Sequence, residues 1–215
     1  MFVYHLGKFL TGIVLKLGGI RIIGRENIPS EGNYIVIANH TSFGDIPAIA
    51  RPFAKPLRFL AKEQFGKNPF TRMLFGSGGV TFLDSADSDL SAMRRVISIL
   101  KAGENVCIFP EGTRRFDQEM VEFKPGAAYI AYRTGVNILP VGLLNTGDFW
   151  HIWKRNIIVN IGNPIALDRT AKMNQEYLDR YNDLFFDSVK RLVDENKAII
   201  KNEGKKMRVP SKKYR

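Results

Sequence analysis

Tyr34-Ile35-Val36-Ile37-Ala38-Asn39-His40-Thr41-Ser42-Phe43-Gly44-Asp45 is the stretch on which the reading of this chain turns. Its first five residues, apolar and rich in β-branched side chains, predict a strand over Tyr34 to Ala38. A spacing of five between His40 and Asp45 is a poor pair on a helix. The pairing works if the chain leaves the strand, turns through Thr41 to Gly44 and starts a helix near Asp45, so that the carboxylate folds back towards the imidazole. A histidine can take a proton from an alcohol near neutral pH, and a carboxylate on its other ring nitrogen fixes the tautomer and stabilises the imidazolium that forms. The alternative for this segment alone is a loop histidine beside an N-capping Asp45.

Working outward, further strand candidates are Leu57 to Ala61, Gly79 to Leu83, Asn105 to Phe109, Asn137 to Leu143 and Asn156 to Ile161. Helices are expected between them. The clearest runs from Ser88 to Ala102, where Leu90, Met93, Val96, Ile97 and Leu100 trace one apolar face and Gly103 ends it. From about Asn174, Tyr177, Tyr181, Leu184, Phe185, Leu192, Val193, Ile199 and Ile200 read as a long amphipathic helix. Strands separated by helices predict an α/β fold: one domain with a mixed, largely parallel sheet flanked by helices. Pro140 is expected to bend its strand.

A second stretch offers chemistry. Phe109-Pro110-Glu111-Gly112-Thr113-Arg114 follows the strand candidate that ends at Phe109. It supplies a carboxylate, a glycine that lets backbone come close to a ligand, a hydroxyl, and guanidinium groups on Arg114 and Arg115 suited to clamping a phosphate. Lys124-Pro125-Gly126 either places a cation by a substrate at a helix start or makes a turn. His40 and Glu111 both follow strands, and ligand crevices of open α/β sheets lie beyond the carboxyl ends of strands. The two motifs are therefore expected to meet in one cleft.

Composition bounds the partners. A chain of 215 residues is long enough for one domain with a substantial core. A net charge of +11 implies an anionic partner, whether nucleic acid, an acidic membrane surface or phosphorylated substrates. The single cysteine, Cys107, excludes an intramolecular disulfide, and its apolar run Val106-Cys107-Ile108-Phe109 suits a buried strand. No His, Cys and carboxylate cluster has metal-ligand spacing, so no metal is expected. His5 and His151 lie among apolar and aromatic neighbours and are read as packing residues.

The chain ends carry their own signals. Lys8 and Lys16 interrupt an apolar amino terminus that is too short between charges for the roughly 20 residues of a bilayer span. Nor does it look like a signal peptide. Phe2, Leu6, Phe9, Leu10, Ile13, Leu17 and Ile20 fall at helical spacing, which over residues 1–20 fits an interfacial helix with snorkelling lysines, or else a helix packed on the domain. The body is then 21–200. Residues 201–215 form a basic tail, either solvated or drawn to anionic lipid.

In these motifs the chain resembles the glycerolipid acyltransferases, most closely the bacterial 1-acyl-sn-glycerol-3-phosphate acyltransferases. The resemblance rests on His40 with Asp45, on Pro110 to Arg114, on Ile138-Leu139-Pro140-Val141 and, in part, on Gly79 to Ser85, where Ser85 stands in place of the family's arginine. It runs from about Ile20 to Pro164. It implies transfer of an acyl group from acyl-CoA or acyl-carrier protein to the sn-2 hydroxyl of lysophosphatidic acid, giving phosphatidic acid without a cofactor. By the same resemblance, His40 and Asp45 are catalytic, and Glu111, Gly112, Thr113, Arg114, Arg115 and Lys124 bind substrate. The expected place is an anionic membrane surface, the cytoplasmic face of a bacterial inner membrane. The missing arginine leaves another lysolipid or glycerol 3-phosphate open as acceptor. A thioester hydrolase would have little purpose for the phosphate clamp. A nucleic-acid-binding module would lack any recognisable binding motif, so no nucleic acid is expected.

Overall fold

A computed structural model describes residues 12–13, 19–62, 79–83, 89–114, 119–147 and 156–208. Of the amino-terminal segment expected to form an interfacial helix, only 12–13 and 19–20 are among them. His5, Ser85, Arg115, His151 and the last seven residues of the basic tail also lie outside.

Seven strands form one sheet: β1 (Arg21–Ile23), β2 (Tyr34–Ala38), β3 (Leu57–Lys62), β4 (Val80–Leu83), β5 (Asn105–Ile108), β6 (Asn137–Leu144) and β7 (Ile158–Ile161). Their order is β1-β7-β6-β2-β5-β3-β4. Every neighbouring pair is parallel except β6 with β7, so the sheet is mixed and largely parallel, as expected. Four α-helices complete the described fold: α1 (Asp45–Ala50), α2 (Asp89–Lys101), α3 (Gly126–Thr134) and α4 (Gln175–Arg208).

The central strand β2 is buried along its whole length. Alternation sends Tyr34, Val36 and Ala38 to one face, where they pack with Ala48 and Ile49 of α1, Phe53 and Leu139. Ile35 and Ile37 enter the other face with Val96 and Leu100 of α2, Ala127 and Ile130 of α3, and Phe185 and Val189 of α4. Burial on both faces is why β2 reads as an unbroken apolar run rather than an alternating one.

Helix α4 lies against β6, and Gly142 makes that approach possible. A Cβ at Gly142 would sit 2.6 Å from Leu192 Cβ and 2.8 Å from both the Leu192 carbonyl carbon and the Val193 nitrogen. Asn196 Nδ2 donates to the Gly142 carbonyl at 3.0 Å, which ties the helix to the same point.

Several boundaries differ from the sequence reading. β1 has only three residues, too few for an alternating pattern to show. β7 starts at Ile158, two residues after Asn156, whose carbonyl accepts from Asn145 in the connection from β6. Pro140 lies inside one continuous strand, and its carbonyl accepts from Gly162 at 2.9 Å. α4 runs on to Arg208, past Lys201 where the tail was expected to begin. Arg21 of β1 pairs with Glu203 of this last stretch, which supplies a local reason for the helix to persist. Leu90 and Leu184, placed on apolar faces from their spacing, are 47% and 43% exposed and sit at the margins of those faces. Among the described residues no helix is long and apolar enough to cross a membrane.

Candidate active site

The site begins where β2 ends. Asn39 is buried and continues the strand with its side chain: its Nδ2 donates to the Leu143 carbonyl at 3.0 Å, and its Oδ1 accepts from the Leu143 amide at 2.8 Å. This two-way bond aligns the exits of β2 and β6. The chain then turns, and α1 opens at Asp45 with no side-chain cap from Gly44.

Asp45 folds back into that turn. Its Oδ2 lies 2.7 Å from His40 Nδ1 and accepts the backbone N–H groups of Thr41 at 2.7 Å and Ser42 at 2.9 Å. Its Oδ1 accepts the hydroxyls of Thr41, at 3.3 Å, and Thr146. The carboxylate is fully buried, while the His40 side chain keeps 17% of its surface exposed. A carboxylate at Nδ1 selects the tautomer in which Nδ1 carries the proton, leaving Nε2 with a lone pair as acceptor. The arrangement can remove a proton from an incoming hydroxyl and hold the imidazolium that results.

The second motif comes to the same place. β5 ends at Ile108, and Phe109 stacks on the His40 ring with centroids 3.9 Å apart and planes 14° from parallel. The Gly112 amide donates to the Phe109 carbonyl at 3.0 Å, which folds Phe109 to Gly112 into a turn. Gly112 holds φ at +73°, the left-handed region that glycine enters without Cβ strain. From that turn the buried Glu111 reaches across, and its Oε1 accepts the His40 backbone N–H at 3.0 Å.

Two cations border the turn. The Arg114 guanidinium carbon lies 3.7 Å above the centre of the Phe43 ring. Lys124 is anchored by its amide to the Pro110 carbonyl at 3.0 Å, and its Nζ lies 3.3 Å from where a Gly112 Cβ would stand. Thr113, immediately before Arg114, is exposed. His40, Asp45, Glu111, Gly112, Arg114 and Lys124 thus gather around the ends of β2 and β5. Arg115 lies outside the described residues. Among those residues His40 is the only histidine, and no group of three His, Cys, Asp or Glu side chains could hold a metal ion.

A sequence model of the Acyltransferase family matches residues 19–144, a span that contains both motifs and closes on the last residue of β6. The chain belongs to the acyltransferase family. Among curated relatives, this acyltransferase is 38% identical over 159 residues to the 1-acyl-sn-glycerol-3-phosphate acyltransferase of Borreliella burgdorferi, covering 72% of this chain and 62% of that protein. It is 31% identical over 205 residues to the enzyme of the same name from Saccharomyces cerevisiae, covering 88% of this chain and 64% of the yeast protein. The chain therefore spans less than two thirds of the length of either. The crystal structure of the 1-acyl-sn-glycerophosphate acyltransferase from Thermotoga maritima superposes with a TM-score of 0.66 at 30% identity, covering 89% of this chain and 81% of that one.

Three parts of the acyltransferase site had no signal of their own in the sequence. Thr146 stands 101 positions from Asp45 and reaches it because Asn145, at φ +57°, turns the chain immediately after β6. Asn39 read as the residue just past the strand that ends at Ala38, and Phe109 as the last residue of the strand that begins at Asn105. What could have flagged all three is position alone, since each lies at or just past the carboxyl end of β2, β5 or β6. Cys107 is buried in β5, and burial, reinforced by the negative charge of Asp45, pushes its thiol well up from the ordinary range. A thiol held protonated in this way is a poor nucleophile.

Proposed function

We propose that this chain transfers a fatty acyl group from an acyl thioester, carried on coenzyme A or acyl-carrier protein, to the sn-2 hydroxyl of 1-acyl-glycerol 3-phosphate, giving phosphatidic acid. The observation that carries the reading is the pairing of His40 with Asp45 at the edge where the Glu111 loop brings Arg114 and Lys124. Relatives bearing that activity in their names support it.

In this reading His40 Nε2 takes the proton of the sn-2 hydroxyl as its oxygen attacks the thioester carbonyl. The tetrahedral intermediate collapses, the C–S bond breaks, and the imidazolium returns its proton to the departing thiolate. Asp45 holds the ring through Nδ1 and stabilises its charged form. Glu111 and Gly112 position the glycerol part, Thr113 and Arg114 sit against the phosphate, and Arg115 and Lys124 are further candidates to bind it. The acyl group moves directly, because the sequence has no Gly-x-Ser-x-Gly nucleophile elbow. The amino-terminal segment and the basic carboxyl-terminal residues are read as contacts with an anionic membrane surface.

The test is incubation of the purified protein in vesicles with labelled acyl donors and a panel of lysophospholipids and glycerol 3-phosphate, with products identified by mass spectrometry. Phosphatidic acid is the expected product, and His40→Ala should slow its formation by about 100- to 10,000-fold without unfolding the protein. Near-normal transfer by a folded His40→Ala protein overturns the assignment.

A further inference from the structure

Phe109 takes no part in the chemistry proposed above, yet its ring covers one face of the base. The His40 imidazole and the Phe109 phenyl lie 3.9 Å apart between centroids, with planes 14° from parallel. Phe109 in turn stacks with the buried Phe59 of β3, centroids 6.5 Å apart and planes 20° from parallel. The register explains the contact. Phe59 stands opposite Cys107 in the parallel pair of β3 and β5, and Phe109, two residues beyond Cys107, packs on the same side of the sheet. The phenyl is thus held from the core side by strand pairing, independently of the turn that carries His40.

The bond between Nδ1 and Asp45 decides which nitrogen carries the proton, but it constrains the plane of the ring only loosely. The torsion that turns a histidine ring has a broad preference of its own. A hydrogen bond stays favourable while it bends by about 30°. A flat ring 3.9 Å away is already at carbon–carbon contact distance, so a tilt of that size would drive an edge of the imidazole into the phenyl face.

Taking the function proposed above as the starting point, we infer that Phe109 is a positioning residue for acyl transfer: its ring fixes the plane of the His40 imidazole and so aims Nε2 at the acceptor hydroxyl. Asp45 sets the tautomer, and Phe109 sets the direction. The two constraints act on different parts of the ring, one on a nitrogen edge and the other on a face. Their consequences differ as well. A misaimed base leaves substrate binding intact and weakens only the step in which the proton moves, so the loss falls on kcat rather than on KM.

The experiment compares Phe109→Leu, which keeps apolar bulk and removes the flat face, with Phe109→Tyr, which keeps the face; Phe109→Met stands in should the leucine variant fold poorly. With lysophosphatidic acid as acceptor, Phe109→Leu should lower kcat by about 10- to 100-fold and leave KM little changed. Phe109→Tyr should retain most of the wild-type kcat. Phe53→Leu supplies the comparison for plain loss of packing, because Phe53 is fully buried in the same apolar cluster but neighbours Tyr34, at the opposite end of β2 from His40. It should lower the urea midpoint and leave kcat unchanged. NMR of protein labelled in the histidine rings, assigned with His40→Ala, gives a readout that does not depend on acyl transfer. Stacking on a phenyl face shifts the carbon-bound ring protons of His40 upfield. That shift should be present in the wild type and Phe109→Tyr and lost in Phe109→Leu, while Nδ1 keeps its proton in all three because Asp45 is untouched. If the wild type acylates no lysophosphatidic acid, the proposed function fails, and the spectra still decide whether the phenyl holds the ring. A kcat in Phe109→Leu within about twofold of the wild type, an equal fall in Phe53→Leu, no recovery in Phe109→Tyr, a loss carried by KM alone, or ring-proton shifts unmoved by Phe109→Leu would overturn the inference.

Discussion

The backbone N–H of His40 donates to the Glu111 carboxylate at 3.0 Å although the two residues lie 71 positions apart. That bond makes the two sequence motifs one object, because a carboxylate from the end of β5 closes the turn that carries the imidazole. Glu111→Ala removes the acceptor from a partly buried N–H. The expected cost is about 1–3 kcal/mol of stability, with a lower kcat as the His40 turn loosens. Glu111→Gln retains an oxygen in the same place and should recover most of both. Urea unfolding and steady-state kinetics of the pair check this.

Thr146 offers a sharper probe of the buried carboxylate. Its hydroxyl donates to Asp45 Oδ1 and accepts from Ser42 Oγ at 3.1 Å. Thr146→Val keeps the shape and deletes these bonds together with the contact to the Thr41 hydroxyl at 3.1 Å, leaving an oxygen of a fully buried carboxylate with one donor fewer. A loss of about 1–3 kcal/mol is expected, together with a fall in kcat larger than any change in KM. Thr146→Ser should behave like the wild type in both measurements.

The contact of α4 with β6 predicts an unusual intolerance. Gly142→Ala would drive a methyl group into Leu192 Cβ and into the helix backbone itself. Overpacking of this kind costs about 1–3 kcal/mol. Adding Leu192→Ala should fail to rescue the variant, since the two contacts at 2.8 Å are to main-chain atoms. Denaturant midpoints of the single and double variants decide the point.

Stability should also fall in strong alkali for an identifiable reason. Burial, helped by the neighbouring Tyr181, pushes the Tyr177 phenol up from 10 to about 12, and its hydroxyl donates to the Asp168 carbonyl at 2.8 Å. The folded state thus holds this proton more tightly than the unfolded chain does. The stabilisation is complete below pH 10 and is lost as the pH rises from about 10 to about 12. Tyr177→Phe should flatten that part of the profile in chemical denaturation while lowering stability near neutrality by about 1 kcal/mol for the lost hydrogen bond.

How much could be read beforehand depends on whether a feature is local. β2 is observed from Tyr34 to Ala38 as expected, because five apolar residues sit between Asn33 and Asn39 and burial on both faces leaves no ambiguity of period. The return of Asp45 onto His40 was readable too, since five residues and one turn contain it. The bonds of Asn39 to Leu143 and of Thr146 to Asp45 were not, because they join positions 104 and 101 apart and no local pattern encodes a polar side chain's distant partner. The stack of Phe109 on His40 escaped for the same reason, being a product of β2 and β5 lying side by side. The extension of α4 to Arg208 was hidden by composition: a run of lysines reads as solvated chain until the pairing of Arg21 with Glu203 is seen.

The seating of α4 on β6 has a consequence for anyone wishing to trim this protein to its reactive half. Both sequence motifs, and the whole stretch matched by the family, lie before residue 145, which invites excision of a minimal core. Yet Tyr177, Tyr181, Phe185, Val189 and Val193 roof the sheet face formed by Ile35, Ile37, Val106 and Ile138. A fragment cut ahead of Asn174 would bare that surface to water and stick to itself instead of turning over substrate. The candidate site and its roof are a single indivisible part.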